Sequence, residues 1–493
     1  MPTSRLTTFH RRVFAAAVLA YTCTAWYSTG FQNADEHYQV IAFALWKTGS
    51  TARDHLPWEF DEQIRSTLLP WVAAALFKAG SLVGVNNPFH LSFLLRLFTA
   101  LLALLTMKRF VIATAHSVGT PMRKAYIALS YFLWFLPFQL VRFSNEAWSL
   151  MALMLTLAVL YQRPAYDRWP WWAGFWATIM VCLKPSMLPA AAGIALWTLL
   201  IAKPRTAEIL QAAASVLLTL VLNTAMDSLF YGAPASSFAN YLHANFPSHP
   251  DHLFDTFPWW YYAPWIVKYA IPPIGLCMLG AAAILIRYHA RSVLTWCILP
   301  LVIALAIVPH KELRFLFPLA GLVPLVLVLA FATANKRWKV QMRTGRLWNP
   351  AIWLFSGVNM AALSVVLFTP AGSGRTRLAE YIRTHYPLQQ VRINYLANDT
   401  TVWDIRIPRF YLGANVTDTI LPTPCIPLAE SRGRMDLVVA RGTFPSCADA
   451  PVGHGWEPLL PAQPAWKERL LRLYEWEDAK PAWVLYRPRT VRE

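Results

Sequence analysis

Long apolar runs separated by short polar gaps occupy the first 369 positions, after which the pattern changes. A helix needs roughly 20 apolar residues to cross a bilayer. By that measure the chain has eleven spans, at 12–29, 91–108, 124–141, 147–161, 171–185, 188–202, 207–226, 264–286, 293–309, 315–334 and 350–369, with Pro185 interrupting one pair. The run 66–83, STLLPWVAAALFKAGSLV, is a further candidate. Counting it as a span would put 109–123, 162–170 and 203–206 outside, although all three carry Lys or Arg. Reading 66–83 as a helix that lies in the interface or re-enters removes the conflict. Eighteen basic residues, from Arg5 to Arg346, then fall inside against one clear acid, Asp167. Inner loops of membrane proteins carry such an excess. Two large loops, 30–90 and 227–263, face outside, and the second has no Lys or Arg.

Beyond 369 the chain turns polar, with 16 basic and 13 acidic residues in 370–493. VRINYLA (391–397), MDLVVA (435–440) and AWVLYR (482–487) have strand patterns, and RLAEYIRTHY (377–386) and WKERLLRLYE (466–475) have helix patterns. The expected architecture is an α-helical polytopic membrane protein over 1–369 with a small α/β extramembrane domain over 370–493.

Composition agrees. Hydrophobic residues make up 56% of the 493 positions and charged residues 14%, against roughly a quarter charged in soluble chains. A disordered chain and an ordinary soluble enzyme are excluded. The net charge of +18 belongs to inner loops and gives no reason to expect nucleic acid. The six cysteines show no zinc-type spacing. Cys23, Cys182, Cys277 and Cys297 sit in apolar runs as inert thiols, whereas Cys425 and Cys447 could pair if the tail lies outside the reducing compartment.

The candidate chemistry clusters at the outer face. FQNADEHYQV (31–40) follows the first span and carries Asp35, Glu36 and His37. A carboxylate at a low-dielectric boundary has a tunable pKa and can serve as a general base. A polar loop capping a helix, with Asp35 as N-cap of 36–47, is the plainer reading, and both stand at this point. PHKELRF (309–315) places His310, Lys311, Glu312 and Arg314 between two apolar runs. If Glu312 opens a helix, His310 and Arg314 share a side, and Lys311 and Arg314 near its N-terminus would suit a phosphate. A solvated hairpin is the alternative. Arg142, Ser144, Asn145 and Glu146 in VRFSNE, Lys184 in LKPS, Asn223, and Asp227 in DSLFYG reach the same face. Each taken singly is an ordinary buried polar pair. Together they suit a transferase acting on a lipid phosphate. Tyr231, Trp259 and Trp260 could stack on sugar rings, though an aromatic belt is the default.

These segments resemble glycosyltransferase family 22. ADEHYQ (34–39), WEF (58–60) and IRSTLLPW (64–71) are similar to its first outer loop, close to HPDEHFQ, WEW and RSYLYP. VRFSNE resembles its R-T-x-SN segment, KPS its RPT, DSLFYG its DS-x-FYG and HKELRF its HKE-x-RF. LPTPCIPL in the tail resembles members that add the third mannose of GPI anchors. Asn33-Ala34 replaces the family's His-Pro, Lys184 its Arg, and FPWWYY its HPWHWY-like stretch. The resemblance implies a GT-C fold, a polyprenyl (dolichyl) phosphate mannose donor, a lipid-linked or GPI-like glycan acceptor, inversion at the anomeric carbon, and neither metal nor cofactor. It implies Asp35 as the base with Glu36 beside it. His37, Arg142, Asn145, Lys184, Asp227, Tyr231, His310, Lys311, Glu312 and Arg314 are the expected substrate-binding set. The alternatives are a flippase for lipid-linked sugars and a GT-C transferase of another sugar. The composition favours a bacterial inner membrane with a periplasmic site over an ER membrane with a luminal one.

Overall fold

The computed structural model describes all residues except 1–2, 164–165, 246–255, 339–349, 373, 397–405, 422–433, 442–455, 474–481 and 489–493. Cys425 and Cys447 lie outside the described residues. The chain forms two compact units: Met1–Tyr27, Tyr38–Leu82 and Phe93–Thr369 make the first, and Ser28–His37, Val83–Ser92 and Pro370–Glu493 make the second. The division is therefore not one cut at 369. Two pieces of the first outer loop belong with the tail.

The first unit is helical. Among the described residues five helices are long and apolar enough to cross a membrane, or up to seven if each of two bent pairs counts as one span. The protein is accordingly a multi-pass membrane protein. Several of the eleven expected spans correspond to helices that are shorter, such as Trp169–Leu183 with 15 residues. The helix Leu68–Leu82, also 15 residues, spans roughly 22 Å at 1.5 Å per residue, short of the ~30 Å hydrocarbon core. Leu210, Leu217 and Val221 of Thr206–Tyr231 are exposed, as helices facing lipid require.

The expected span 124–141 is broken. Arg123–Phe132 and Phe135–Val141 meet at 49°. Pro137 lacks the N–H that would reach Leu133, and its ring crowds that carbonyl. Asn359 repairs the opened backbone: its Nδ2 donates to the Phe132 carbonyl at 2.8 Å and its Oδ1 accepts from Trp134 N at 2.9 Å. Away from water such freed groups must find partners. Elsewhere small residues bring helices together. A Cβ on Gly193 would lie 1.8 Å from the Trp296 carbonyl, so only glycine lets Leu188–Trp197 lie against Val293–Ile307.

The second unit is an α/β domain built on five strands: β1 (Gln390–Leu396), β2 (Val416–Leu421), β3 (Arg434–Arg441), β4 (Trp456–Pro461) and β5 (Trp483–Pro488). Their order is β2-β1-β3-β5-β4. The β1 pairings are parallel and the β5 pairings antiparallel. Val391, Ile393 and Tyr395 alternate into a core with Leu437, Val439, Leu485 and the helix Arg375–His385. The central strand β3 buries its other face too, with Val438 and Ala440 against Tyr486. Arg392 and Asp436, opposite in register, form a 2.7 Å ion pair. The expected strands and helices of the tail are all present. The two unforeseen strands, β2 and β4, are the sheet's edges. Pro458 and Pro461 in β4 spoil a strand pattern and are tolerated at an edge.

Candidate active site

Within the second unit, the acidic segment is shaped by its own caps. Asn33, not Asp35, starts the helix: its Oδ1 accepts from Asp35 N at 3.1 Å and its carbonyl accepts from Glu36 N at 3.1 Å. Glu36 answers by folding back, so that one carboxylate oxygen accepts from Gln32 N at 3.0 Å and Asn33 N at 3.3 Å. This is a reciprocal capping arrangement. The chain continues as a π-helical turn, Glu36–Ile41, and then Ala42–Lys47. The consequence for the paired acids is unequal. Glu36 is buried, whereas Asp35 stays partly exposed. His37 is 3% exposed and sits among the rings of Phe31, Phe410 and Tyr411, with centroids 5.9–6.1 Å away. Burial pushes its pKa down to about 3, so it is neutral at physiological pH.

The remaining motifs lie in the first unit. Ser144 caps Asn145–Gln162 by accepting from Ala147 N at 3.2 Å, which sets Glu146 in the first turn. A carboxylate is favoured there by the helix dipole. Lys184, at the end of Trp169–Leu183, donates to Glu146 at 2.5 Å, with both side chains about nine-tenths buried. The same ammonium lies 5.5 Å from the centre of the Phe315 ring. Arg142 is 2% exposed, with its guanidinium 5.3 Å from the Phe138 ring.

HKELRF departs from the expected helix. The turn begins at Leu313 as a 3₁₀ helix, and Glu312 precedes it in extended conformation. His310 and Arg314 do meet, but through the Glu312 carboxylate between them. His310 Nε2 lies 3.1 Å from Oε1, Arg314 Nη2 donates to the same oxygen at 2.9 Å, and Arg314 Nε is ion-paired with Oε2. Burial pulls the Glu312 pKa up, but the hydrogen bonds and charge of Arg314 and His310 outweigh it, and the net shift is downward. Both partners also touch Phe315, at 5.9 Å each. The ring thereby joins this group to Lys184. Lys311 turns away. Its Nζ donates to the carbonyls of Leu305 at 3.4 Å, Ala306 at 2.9 Å and Val308, closing the C-terminus of Val293–Ile307.

DSLFYG is a structural junction. Asp227, fully buried, accepts five hydrogen bonds, from Thr67 N and Oγ1, Asn223 Nδ2, and Ser237 N and Oγ. Tyr231 donates to the Arg65 carbonyl at 2.8 Å. Trp259 and Trp260 are exposed, and neighbouring Phe257 stacks on Tyr261 at 4.3 Å.

The structure thus brings Glu146, Lys184, His310, Glu312 and Arg314 into one polar group. It commits Lys311 and Asp227 to the backbone and to buried donors. It also adds residues that had no role assigned from sequence. Glu59 Oε1 accepts from Gln39 Nε2 at 3.0 Å and from Arg65 Nη2 at 3.3 Å. Burial pushes the Tyr241 phenol up, against the opposing pull of the Arg65 and Arg314 charges. Gln39, Glu59 and Arg65 all lie in the motifs of the first outer loop, which was the available signal. Arg65 Nε, Ser66 Oγ, Asn145 Oδ1 and Ser186 Oγ, buried polar atoms on motif residues, have no hydrogen-bond partner among the described residues. Buried polar atoms are normally paired, so such a concentration marks room for a polar ligand. No group of three or more His, Cys, Asp or Glu among the described residues is placed to hold a metal ion.

A polytopic helical body, a polar group among its motif residues and a mixed-sheet domain define a class, the membrane-embedded glycosyltransferases of GT-C fold. ArnT from Cupriavidus metallidurans, solved with undecaprenyl phosphate bound, aligns over 100% of this chain and 99% of its own at a TM-score of 0.53 and 11% identity. The sequence specifies the branch. Residues 13–378 match the Alg9-like mannosyltransferase family, and the chain belongs to that family. GPI mannosyltransferase 3 of Yarrowia lipolytica is 29% identical over 308 residues, which are 60% of this chain and 57% of the relative. GPI mannosyltransferase 3 of Drosophila melanogaster is 25% identical over 339 residues, 66% of this chain and 57% of that one. The α-1,2-mannosyltransferase ALG9 of Saccharomyces cerevisiae is 30% identical over 165 residues, 32% of this chain and 26% of its own. The chain spans 57% of the length of the first two relatives.

Proposed function

We propose that the protein is an inverting α-mannosyltransferase. It would move mannose from a polyprenyl-phosphate donor to a hydroxyl of a lipid-linked or GPI-like glycan, at the periplasmic face of a bacterial inner membrane, without metal or cofactor. The observation that carries the assignment of the base is the unequal fate of the adjacent acids. Glu36 is buried and bonded to two backbone amides, whereas Asp35 keeps access to solvent. Asp35 takes the acceptor proton as the hydroxyl oxygen bonds to the anomeric carbon. The bond from that carbon to the phosphate oxygen breaks on the opposite face, and the lipid phosphate leaves as a dianion.

The leaving group is already anionic, so its stabilisation falls to fixed positive charge. Arg314, Lys184 and Arg142 support that role. Lys311 does not, because its ammonium is engaged with three carbonyls. The partnerless atoms of Arg65, Ser66, Asn145 and Ser186 support a polar ligand in the helical unit. The family membership and the names of the relatives support mannose as the sugar.

The test is transfer of radiolabelled mannose from a short-chain polyprenyl-phosphate mannose to glycolipid extracts by detergent-purified protein in EDTA. A general base contributes roughly 10²–10⁴-fold, and Asp35→Asn is expected to lose turnover on that scale with folding intact. Wild-type turnover in that variant would sink the assignment.

A further inference from the structure

The segment bearing Asp35 is held by the C-terminal domain, and the contacts bracket the acid on both sides. Before it, Ala371 N donates to the Thr29 carbonyl at 2.9 Å. Gly372, at φ +55°, passes so close to the Phe31 carbonyl that a Cβ would lie 2.3 Å from it. Arg375, buried, places its guanidinium 5.6 Å from the Phe31 ring while donating to the Arg406 carbonyl at 3.3 Å. After it, the ring of His37 lies among Phe31, Phe410 and Tyr411. The turn that meets Phe31 is itself anchored, for Gln463 Nε2 donates to the Gly372 carbonyl at 3.1 Å and Lys467 Nζ to the Pro370 carbonyl at 3.0 Å.

Between these anchors only a few residues carry Asp35, and Glu36 is tied down by the cap. A carboxylate acting in proton transfer must be held near its productive geometry, and the residues that hold it fix its efficiency. We propose that the C-terminal domain aims the acidic segment, with Gly372, Arg375 and Phe410 as positioning residues for Asp35. This rests on Asp35 being the base. The domain's role is then to supply the rigid platform on which that base sits.

The test combines Gly372→Ala, which drives a Cβ into the Phe31 carbonyl, with Phe410→Ala and Arg375→Ala, which remove contacts without a backbone clash. Phe410→Leu serves as the conservative variant. A misplacement of about 1 Å can cost on the order of 10²-fold in rate. The expected result is a loss of kcat approaching that scale, with KM for polyprenyl-phosphate mannose unchanged. Amide exchange should rise in peptides covering 28–37 and stay constant in the helical unit, and Phe410→Leu should recover much of the loss. If Asp35→Asn is inactive while the three variants turn over like wild type, the positioning inference is overturned and the base stands. Equal loss in kcat and affinity, or exchange raised throughout the chain, would likewise overturn it in favour of general instability. Should Asp35→Asn itself turn over normally, the base reading fails, and the exchange data still report separately whether the domain holds the segment.

Discussion

Replacing Lys184 with methionine removes one half of a nearly dry ion pair. Its ammonium lies 2.5 Å from Glu146, and the side chains are 10% and 9% exposed. The methionine fills the space beside Phe315 but leaves a buried carboxylate with its closest cation gone. Breaking such a pair typically costs about 3–5 kcal/mol, whereas replacing both charges with apolar groups of similar volume is close to neutral. Arg314, whose charge also acts on Glu146, will take up part of the loss, which puts the expectation near the lower end. Lys184→Met should therefore melt well below wild type, and the double variant Lys184→Met with Glu146→Leu should melt close to it. Fluorescence melts at one fixed scan rate in detergent, together with the transfer assay, make the measurement. The double variant is expected to be folded and inactive if Lys184 serves the leaving phosphate. A single variant as stable as wild type would refute the energetic reasoning, as would a double variant no better than the single. Wild-type turnover in the double variant would remove Lys184 from the substrate-binding set.

Further expectations follow from the same geometry. Lys311→Met should lower stability by about 1–3 kcal/mol, the cost of leaving buried carbonyls without donors, while the kcat of the folded fraction changes little; melts and turnover on the same preparation separate the two effects. His37 is neutral in the fold, with its pKa lowered to about 3 from 6.5, so its contribution is complete above pH 6.5 and is lost as pH falls towards 3. By pH 5 that amounts to about 2 kcal/mol, at 1.36 kcal/mol per pKa unit. Melts of His37→Asn between pH 7 and 5 should show a flatter dependence than wild type, and an unchanged slope would refute the account.

Much of the molecule was legible before any coordinates. Runs of apolar residues, the bias of Lys and Arg, and the polar turn at 370 announce a helical membrane body and an α/β tail, because burial in lipid or in a sheet leaves a direct trace in hydrophobicity. The edge strands β2 and β4 left a weaker trace, since a strand with one partner tolerates Pro458 and polar positions. The polar motifs were equally visible, but their division of labour was not. Lys311 and Arg314 stand three positions apart in one motif, yet one closes a helix end and the other pairs with Glu312. Charge type tells that a residue is costly to bury, not which oxygen will satisfy it.

The sequence by itself determined the class, the family and the short list of chemically capable residues, because these depend on composition, periodicity and local motifs. Tertiary structure alone decided which of those residues are engaged with backbone. Asp227 meets donors from Thr67 and Ser237 that only folding delivers. It also decided that the acidic segment belongs with the tail. Gly372 lies against Phe31 across most of the chain's length, and a contact of that kind depends on two surfaces fitting in space. No pattern within either segment encodes it.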